Sequence, residues 1–383
     1  MAVKYPYEYD AEKRKIAKIY TRTKIINGIF NSILIPLVFF LVLLFSGYSV
    51  ALKDIAVSLS EQFYVPVYVV MFLTLLTFVQ LPISFYSEFI YEHKHGLSNQ
   101  NIRAWLKDLV KELALMYVIS VPLISGLYFL IQMTDLWYLY AGALYIALML
   151  FFDYIYPILI FPIFYKVEPL KDEHIKNRLL EMAQKAGATS VKNVEVAKES
   201  EKSNKANAMF AGIGGSKRII LFDTLLDSFT PDEVETVVAH ELGHYVHRDT
   251  ARFMVIEAVK IVPVFLLIIS VFDVYSQMFG ISGIGDIAGL PLLFFTNSFI
   301  ELFLMVPMMA YSRKREKAAD IFALDATLKS QAQISTEKRL ADMNLLDDAP
   351  HPLVEMILYS HPSARKRIEY TKEWEKGHKK RKI

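Results

Sequence analysis

The chain of 383 residues contains no cysteine. That excludes a disulfide framework, a thiolate metal site and a cysteine nucleophile, and it leaves the redox compartment unread. Charge of one sign is also missing in total: 42 Lys and Arg stand against 40 Asp and Glu, a formal net charge of +2. The final run "HKKRKI" is basic, but it reads as a solvated or headgroup-facing tail, and no nucleic-acid partner is expected. The opening stretch "MAVKYPYEYDAEKRKIAKIYTRTK" is polar and too long before the first apolar run for a secretory signal peptide, so that run is expected to stay as an anchor. Gly212, Gly214 and Gly215 do not form a dinucleotide fingerprint, because no helix opens directly after them. They are expected to turn a β-hairpin.

What the chain has in excess is apolar residues, 54% of the total, gathered in long runs. Six segments, near 27–50, 65–87, 113–133, 138–163, 254–273 and 288–311, are long and apolar enough to cross a hydrocarbon core of about 30 Å. The expected fold class is therefore mainly α: a polytopic helical membrane protein. Lys and Arg set its orientation. Lys4, Lys13, Arg14, Lys15, Lys18, Arg22 and Lys24 precede the first span; Lys94, Arg103, Lys107 and Lys111 follow the second; Arg313, Lys314, Arg315 and Lys317 follow the sixth. The opposite loops carry only Lys53. Both termini and the long polar regions are thus expected on the cytoplasmic side. Glu88, Glu112, Asp153, Glu257, Lys260 and Glu301 lie in or beside spans, where a charge is costly in lipid. Two accounts stand side by side: internal pairs such as Glu257 with Lys260, or a hydrated cavity between the helices.

The runs divide the chain into 1–163 with four spans, a polar region 164–252, two further spans in 253–311 and a polar region 312–383. In the first polar region "KDEHIKNRLLEMAQKAGA" has helical periodicity, "VKNVEVAKES" reads as a strand, and the glycine turn is flanked by two more, which makes a small α/β region. A helix then starts with Thr230 as N-cap, Pro231 in its first position and Glu233 completing a capping box.

That helix carries "VVAHELGHYVHRDT". His240 and His244, four residues apart, project from one face about 6 Å apart along the axis, which lets both imidazoles meet one zinc ion. Glu241 points beside them, able to take a proton from water and return it to a leaving amine. His247 is about 10 Å along the axis from His240, too far for the same ion, and is expected at a surface or an interface. The third ligand is sought in "RKREKAADIFALDA", on the same side of the membrane. Glu316 completes a two-histidine, one-glutamate set, and Asp320, one turn on, accepts the other ring N–H of a ligand histidine.

At these residues the chain resembles the type I CaaX prenyl protease family of integral-membrane zinc metalloendopeptidases. "YSEFIYEHKHGLSNQ", "FPIFYKVEPLKD", "KRIILFDTLL", "VVAHELGHYVHRDT", "EKAADIFALDA" and "SHPSARKRI" follow in family order. The resemblance implies Zn2+ held by His240, His244 and Glu316, with Glu241 as general base. It further implies that "NKANAMF" is an edge strand that pairs with substrate backbone, placing Asn207 and Ala208 in the cleft. It makes His361 the group that steadies the oxyanion, with Arg367 beside it. The implied architecture is a ring of helices around a water-filled chamber, closed on its cytoplasmic side by a zincin-like domain. Two features differ: eukaryotic members have seven spans against six here, and Met209 stands where an aromatic is usual.

The expected function is hydrolysis of peptide bonds near the carboxyl terminus of peptides or proteins, with prenylated CaaX-type substrates implied by the resemblance alone. A general quality-control zinc protease of membrane proteins is the alternative. A transporter or a non-catalytic membrane scaffold is the reading from another class.

Overall fold

The computed structural model describes residues 5–381; Lys4 and most of the basic tail lie outside the residues whose side chains are described. Uninterrupted apolar runs can bury their backbone polar groups in lipid only as helices, and among the described residues six helices are long and apolar enough to cross a membrane. They are α1 (Ala11–Phe45), α3 (Tyr64–Lys94), α4 (Ile102–Met133), α5 (Trp137–Phe164), α9 (Asp249–Phe279) and α10 (Leu290–Thr327). All six expected segments fall on them, except that the first ends earlier than its pattern suggests. Gly47, with φ 73°, turns the chain out of α1 into a separate helix α2 (Tyr48–Leu59). Lys53 of α2 pairs with Asp286 at 2.9 Å and ties it to the loop ahead of α10.

Tyr68, Phe72, Tyr128 and Leu290 form one buried cluster among the membrane helices, and Val264, Ile268 and Phe272 belong to another. Three spans contain a widened turn, at Phe30–Leu34, Phe85–Ile90 and Tyr156–Ile160. At the first, the Asn31 carbonyl accepts from Gln80 Nε2 at 2.7 Å, so the displaced backbone group finds a donor on the next helix. Lys260 pairs with Glu257 at 2.8 Å, as its spacing suggests, and also with Glu301 of α10 at 2.8 Å.

The first polar region is built on a four-stranded sheet of order β1-β2-β4-β3: β1 (Val167–Pro169), β2 (Val194–Ala197), β3 (Ala208–Ala211) and β4 (Arg218–Phe222). β3 and β4 are the expected antiparallel hairpin, and β2 runs parallel to β4. The short β1 carries no alternation of its own and is defined by pairing with β2. Helix α6 (Glu173–Lys185) is capped by Asp172, which accepts from the His174 and Ile175 N–H groups. A single turn and a half, α7 (Asp223–Ser228), leads from β4 to α8 (Pro231–Val246). Leu179, Leu221, Leu225, Val234, Val238 and Leu242 fill the core between α6, the sheet and α8.

The chain closes with α11 (Ser330–Met343), α12 (Pro352–Leu358) and α13 (Ala364–Arg381). α10 runs without interruption across residue 311, where the sequence pattern sets a boundary, so one helix both spans and enters the polar region.

Candidate metal centre

Two helices make the site. In α8 the capping box forms as its residues dictate: Thr230 Oγ1 accepts from Glu233 N–H at 3.3 Å, and Glu233 accepts from Thr230 N–H at 2.8 Å. Glu233 is fully buried because its other oxygen takes Ser335 Oγ at 2.6 Å and the Arg339 guanidinium of α11. The cap therefore also fixes α8 against the carboxyl-terminal helices. Against its other face lies the end of α10, with Arg315, Glu316, Ala319 and Asp320 buried. The two backbones approach so closely that a Cβ on Gly243 would sit 2.8 Å from Ala319 Cα and 3.0 Å from its carbonyl oxygen.

That approach brings three donors together. His240 Nε2 and His244 Nε2 face each other at 3.2 Å; Glu316 lies 3.2 Å from the first and 3.4 Å from the second. Tetrahedral coordination at roughly 2.0–2.1 Å calls for donors about 3.3 Å apart, so the set fits one ion with a corner left open. Glu316 Oε2 is buried without a hydrogen-bond donor, the condition of an oxygen built for a cation. Among the described residues this is the one group of His, Asp and Glu donors close enough to share a metal.

The outer ring nitrogens are held as well. His240 Nδ1–H donates to Asp320 Oδ1 at 2.7 Å, leaving Nε2 free to ligate. Asp320 also takes Arg367 Nε at 2.8 Å and the Tyr370 hydroxyl. His244 Nδ1–H donates to Asp249 at 2.9 Å, and Asp249 is held in turn by Arg315. Burial pushes the His240 imidazole down, but Asp320 and then Glu316 outweigh it and hold it at about 10. Burial opposes the His244 proton too, and Glu316 restores it, for a net rise. Burial raises the Glu241 carboxyl, with the two imidazoles pulling the other way.

A cavity of about 780 Å³ opens beside these groups, lined by His240, Glu241, Asn207, Ala208, His361 and Arg367 among others. β3 is the sheet's edge, so one side of it faces no strand. The Ala208 N–H is covered instead by its neighbour's Asn207 Oδ1 at 2.9 Å. His361 is exposed to the cleft, its Nε2 3.3 Å from Glu316 and its Nδ1 bonded to Ser360 Oγ at 2.8 Å. Arg367 faces inward: it braces Asp320 and pairs with buried Glu337 at 3.0 Å. His247 stays outside, half-buried at the end of α8 with its ring against Phe322.

Sequence reasoning missed Asp249 and Glu337. Asp249 follows the motif by five residues, but it reaches His244 only because Arg248, at φ 55°, breaks the helix between them. Glu337 carries no local signal, since its partner lies thirty positions away in the chain.

The family model for peptidase family M48 matches residues 169–375, which include His240, His244 and Glu316, and a second, described as "CAAX prenyl protease N-terminal, five membrane helices", matches residues 4–166. The chain belongs to peptidase family M48. Its relatives include the "Uncharacterized metalloprotease YhfN" of Bacillus subtilis, 31% identical over 350 residues that cover 89% of this chain and 82% of that protein. "CAAX prenyl protease 1" of Saccharomyces cerevisiae is 29% identical, over 77% of this chain and 69% of the yeast one. Among solved structures, that of S. mikatae Ste24p superposes with a TM-score of 0.83 at 27% identity, covering 94% of this chain and 88% of that one. This M48 peptidase is thus a multi-pass membrane metalloendopeptidase that acts on peptides or proteins with a metal ion. Its region 4–166 has four long apolar helices and the short α2 where the family description counts five.

Proposed function

We propose that this peptidase uses zinc, held by His240, His244 and Glu316, to cleave peptides near their carboxyl terminus on the cytoplasmic face of its membrane, and that it takes prenylated CaaX-type substrates. The observation that carries the reading is the convergence of three donors, Glu316 buried and His244 partly so, 3.2–3.4 Å apart, beside Glu241 and an unpaired strand edge. Two imidazoles and one carboxylate suit Zn2+ better than the all-oxygen preference of Mg2+ or Ca2+. When bound, the metal supplies Lewis acidity that polarises the scissile carbonyl and acidifies water.

The remaining work belongs to side chains of this chain. Glu241 takes a proton from the attacking water and delivers it to the leaving amine. His361, on the open side of the cleft, donates a hydrogen bond to the developing oxyanion. Asp320, braced by Arg367, and Asp249 fix the tautomers of the two ligand histidines, so that each presents Nε2. An extended substrate adds to the free edge at Asn207 and Ala208 by main-chain hydrogen bonds, displacing the Asn207 side chain from the Ala208 N–H. The orientation rests on the cytoplasmic bias of Lys and Arg, and no step calls for nucleic acid.

The test is cleavage of matched prenylated and unprenylated peptides by wild type and Glu241→Gln. The variant is expected to retain one zinc per chain and to lose about 10²–10⁴-fold in kcat. Unchanged cleavage by the variant, or purified protein that holds no zinc, would overturn the assignment. Equal kcat/KM on both peptides would instead favour the broader quality-control reading.

A further inference from the structure

A second cavity, of about 350 Å³, lies where α1, α3 and α4 meet the loop that leads into β3. Five carboxyl groups line it (Glu88, Glu92, Asp108, Glu112 and Glu199) against three lysines, Lys24, Lys202 and Lys205. Two of the carboxylates are accounted for. Glu92 is held by Lys24 and Lys205, each at 2.9 Å, and by the Tyr20 hydroxyl at 2.7 Å. Asp108 is held by Lys202 at 2.7 Å, Lys111 at 2.9 Å and Gln100 at 2.8 Å.

Glu88, Glu112 and Glu199 have no ion-pair partner among the described residues. Glu199 is the telling one. It is only 6% exposed, and while it bonds to Tyr165 and Ser203, its Oε2 is buried with no donor at all. A carboxylate oxygen in that condition at a membrane boundary is costly unless a cation or a proton completes it, and burial raises this carboxyl accordingly. The three carboxyls are not close enough together to share a metal ion, since the only such group among the described residues is the metal centre. Their spread suits a cation that is itself extended and carries several N–H donors.

The cavity adjoins the catalytic cleft: Lys24, Glu199 and Lys205 line both. Lys205 precedes Ala208 by three positions, which at strand rise is roughly 10 Å, the length of a few residues of extended peptide. We propose that the cavity lined by Glu88, Glu112 and Glu199 is a specificity subsite for a lysine or arginine side chain of the bound peptide, a few residues from the scissile bond.

This rests on the protease reading of the cleft, and the experiment separates the two. A single lysine is moved stepwise along a short quenched-fluorescence peptide, with norleucine at the same position as the uncharged control. kcat/KM is read with the full-length, zinc-loaded protein in detergent, for wild type, Glu112→Gln, Glu199→Gln and Glu112→Lys. At one position lysine is expected to be preferred over norleucine by about tenfold, the scale of one charge-assisted hydrogen bond. Either glutamine variant should abolish that preference, Glu112→Gln while leaving the norleucine peptide's rate near wild type, and Glu112→Lys should favour glutamate there instead. Because Glu199 is buried and Glu112 opens onto the cavity, the Glu112 variants keep the test valid if Glu199→Gln misfolds. Cleavage of every norleucine peptide with no lysine preference, or a preference that survives both glutamine variants, overturns the subsite and leaves the protease standing. If wild type cleaves no peptide, both fall together.

Discussion

At the scale of single residues, the site is a set of groups each holding another in a defined state. His240 and His244 present Nε2 because Asp320 and Asp249 occupy their Nδ1–H groups. Neighbouring carboxylates also favour a proton on the imidazoles against the effect of burial: Asp320 and then Glu316 hold His240 at about 10, and Glu316, with a smaller share from Asp249, raises His244. A metal ligand must be unprotonated, so at neutral pH metal has to displace protons that the free site retains. Affinity for zinc should therefore rise with pH through the neutral range and level off only as pH passes the raised value of His240. Titration calorimetry in buffers of different ionisation enthalpy should show net proton release at pH 7. Proton-neutral binding would mean that the ligands are already unprotonated and the Asp320–His240 account is wrong.

At the scale of elements, the metal centre depends on how closely α8 and α10 pack. Gly243 sits between His240 and His244, yet its role is steric, since a methyl group there would meet the Ala319 backbone at 2.8 Å. Backbone cannot step aside as a flexible side-chain tip can. Gly243→Ala should separate the helices and draw Glu316 away from the two histidines, although all three side chains are still present. Such overpacking costs roughly 1–3 kcal/mol, so the variant should fold with a lowered melting temperature while losing zinc affinity. Wild-type zinc content after dialysis against a weak chelator would count against this. Helix propensity points the other way, because alanine in a helix interior is favoured over glycine by about 1 kcal/mol.

At the scale of the whole molecule, residues far apart in sequence lock the amino-terminal segment to the catalytic region. Asp342, buried in α11, takes the Arg14 guanidinium, the Tyr7 hydroxyl at 2.9 Å and the Asp10 N–H at 2.8 Å. Tyr7 N–H also donates to Ser335 Oγ at 2.7 Å. The segment ahead of the first span and the metal centre are thus on one side of the membrane domain. Removing one partner of a buried pair costs about 3–5 kcal/mol, because the other is left uncompensated. Asp342→Ala should lower the melting temperature and open residues 5–14 to proteolysis, with zinc content retained because α8 and α10 are untouched. A protease-resistant amino terminus in that variant would show that the contacts hold nothing in place.

Composition and periodicity by themselves determined the six spans, the capped helix and the pairing of His240 with His244, because each depends on neighbours within a few residues. Length and hydropathy decide a span, the box of Thr230 and Glu233 decides a helix start, and a four-residue spacing decides which side chains share a face. Glu316 and Asp320 were legible only as a candidate turn on the same membrane side; nothing local selected them from other acidic pairs. Tertiary structure alone decided that α10 continues past its apolar run to pack against Gly243, that a left-handed Arg248 swings Asp249 onto His244, and that Arg367 faces Asp320 and Glu337. It also decided that Lys260 is shared by Glu257 and Glu301, while Glu88, Glu112 and Glu199 were left to line a cavity. Apart from Asp249 with His244 and Lys260 with Glu257, these are contacts between elements tens of residues apart, and their geometry is fixed by helix packing, which no local pattern encodes.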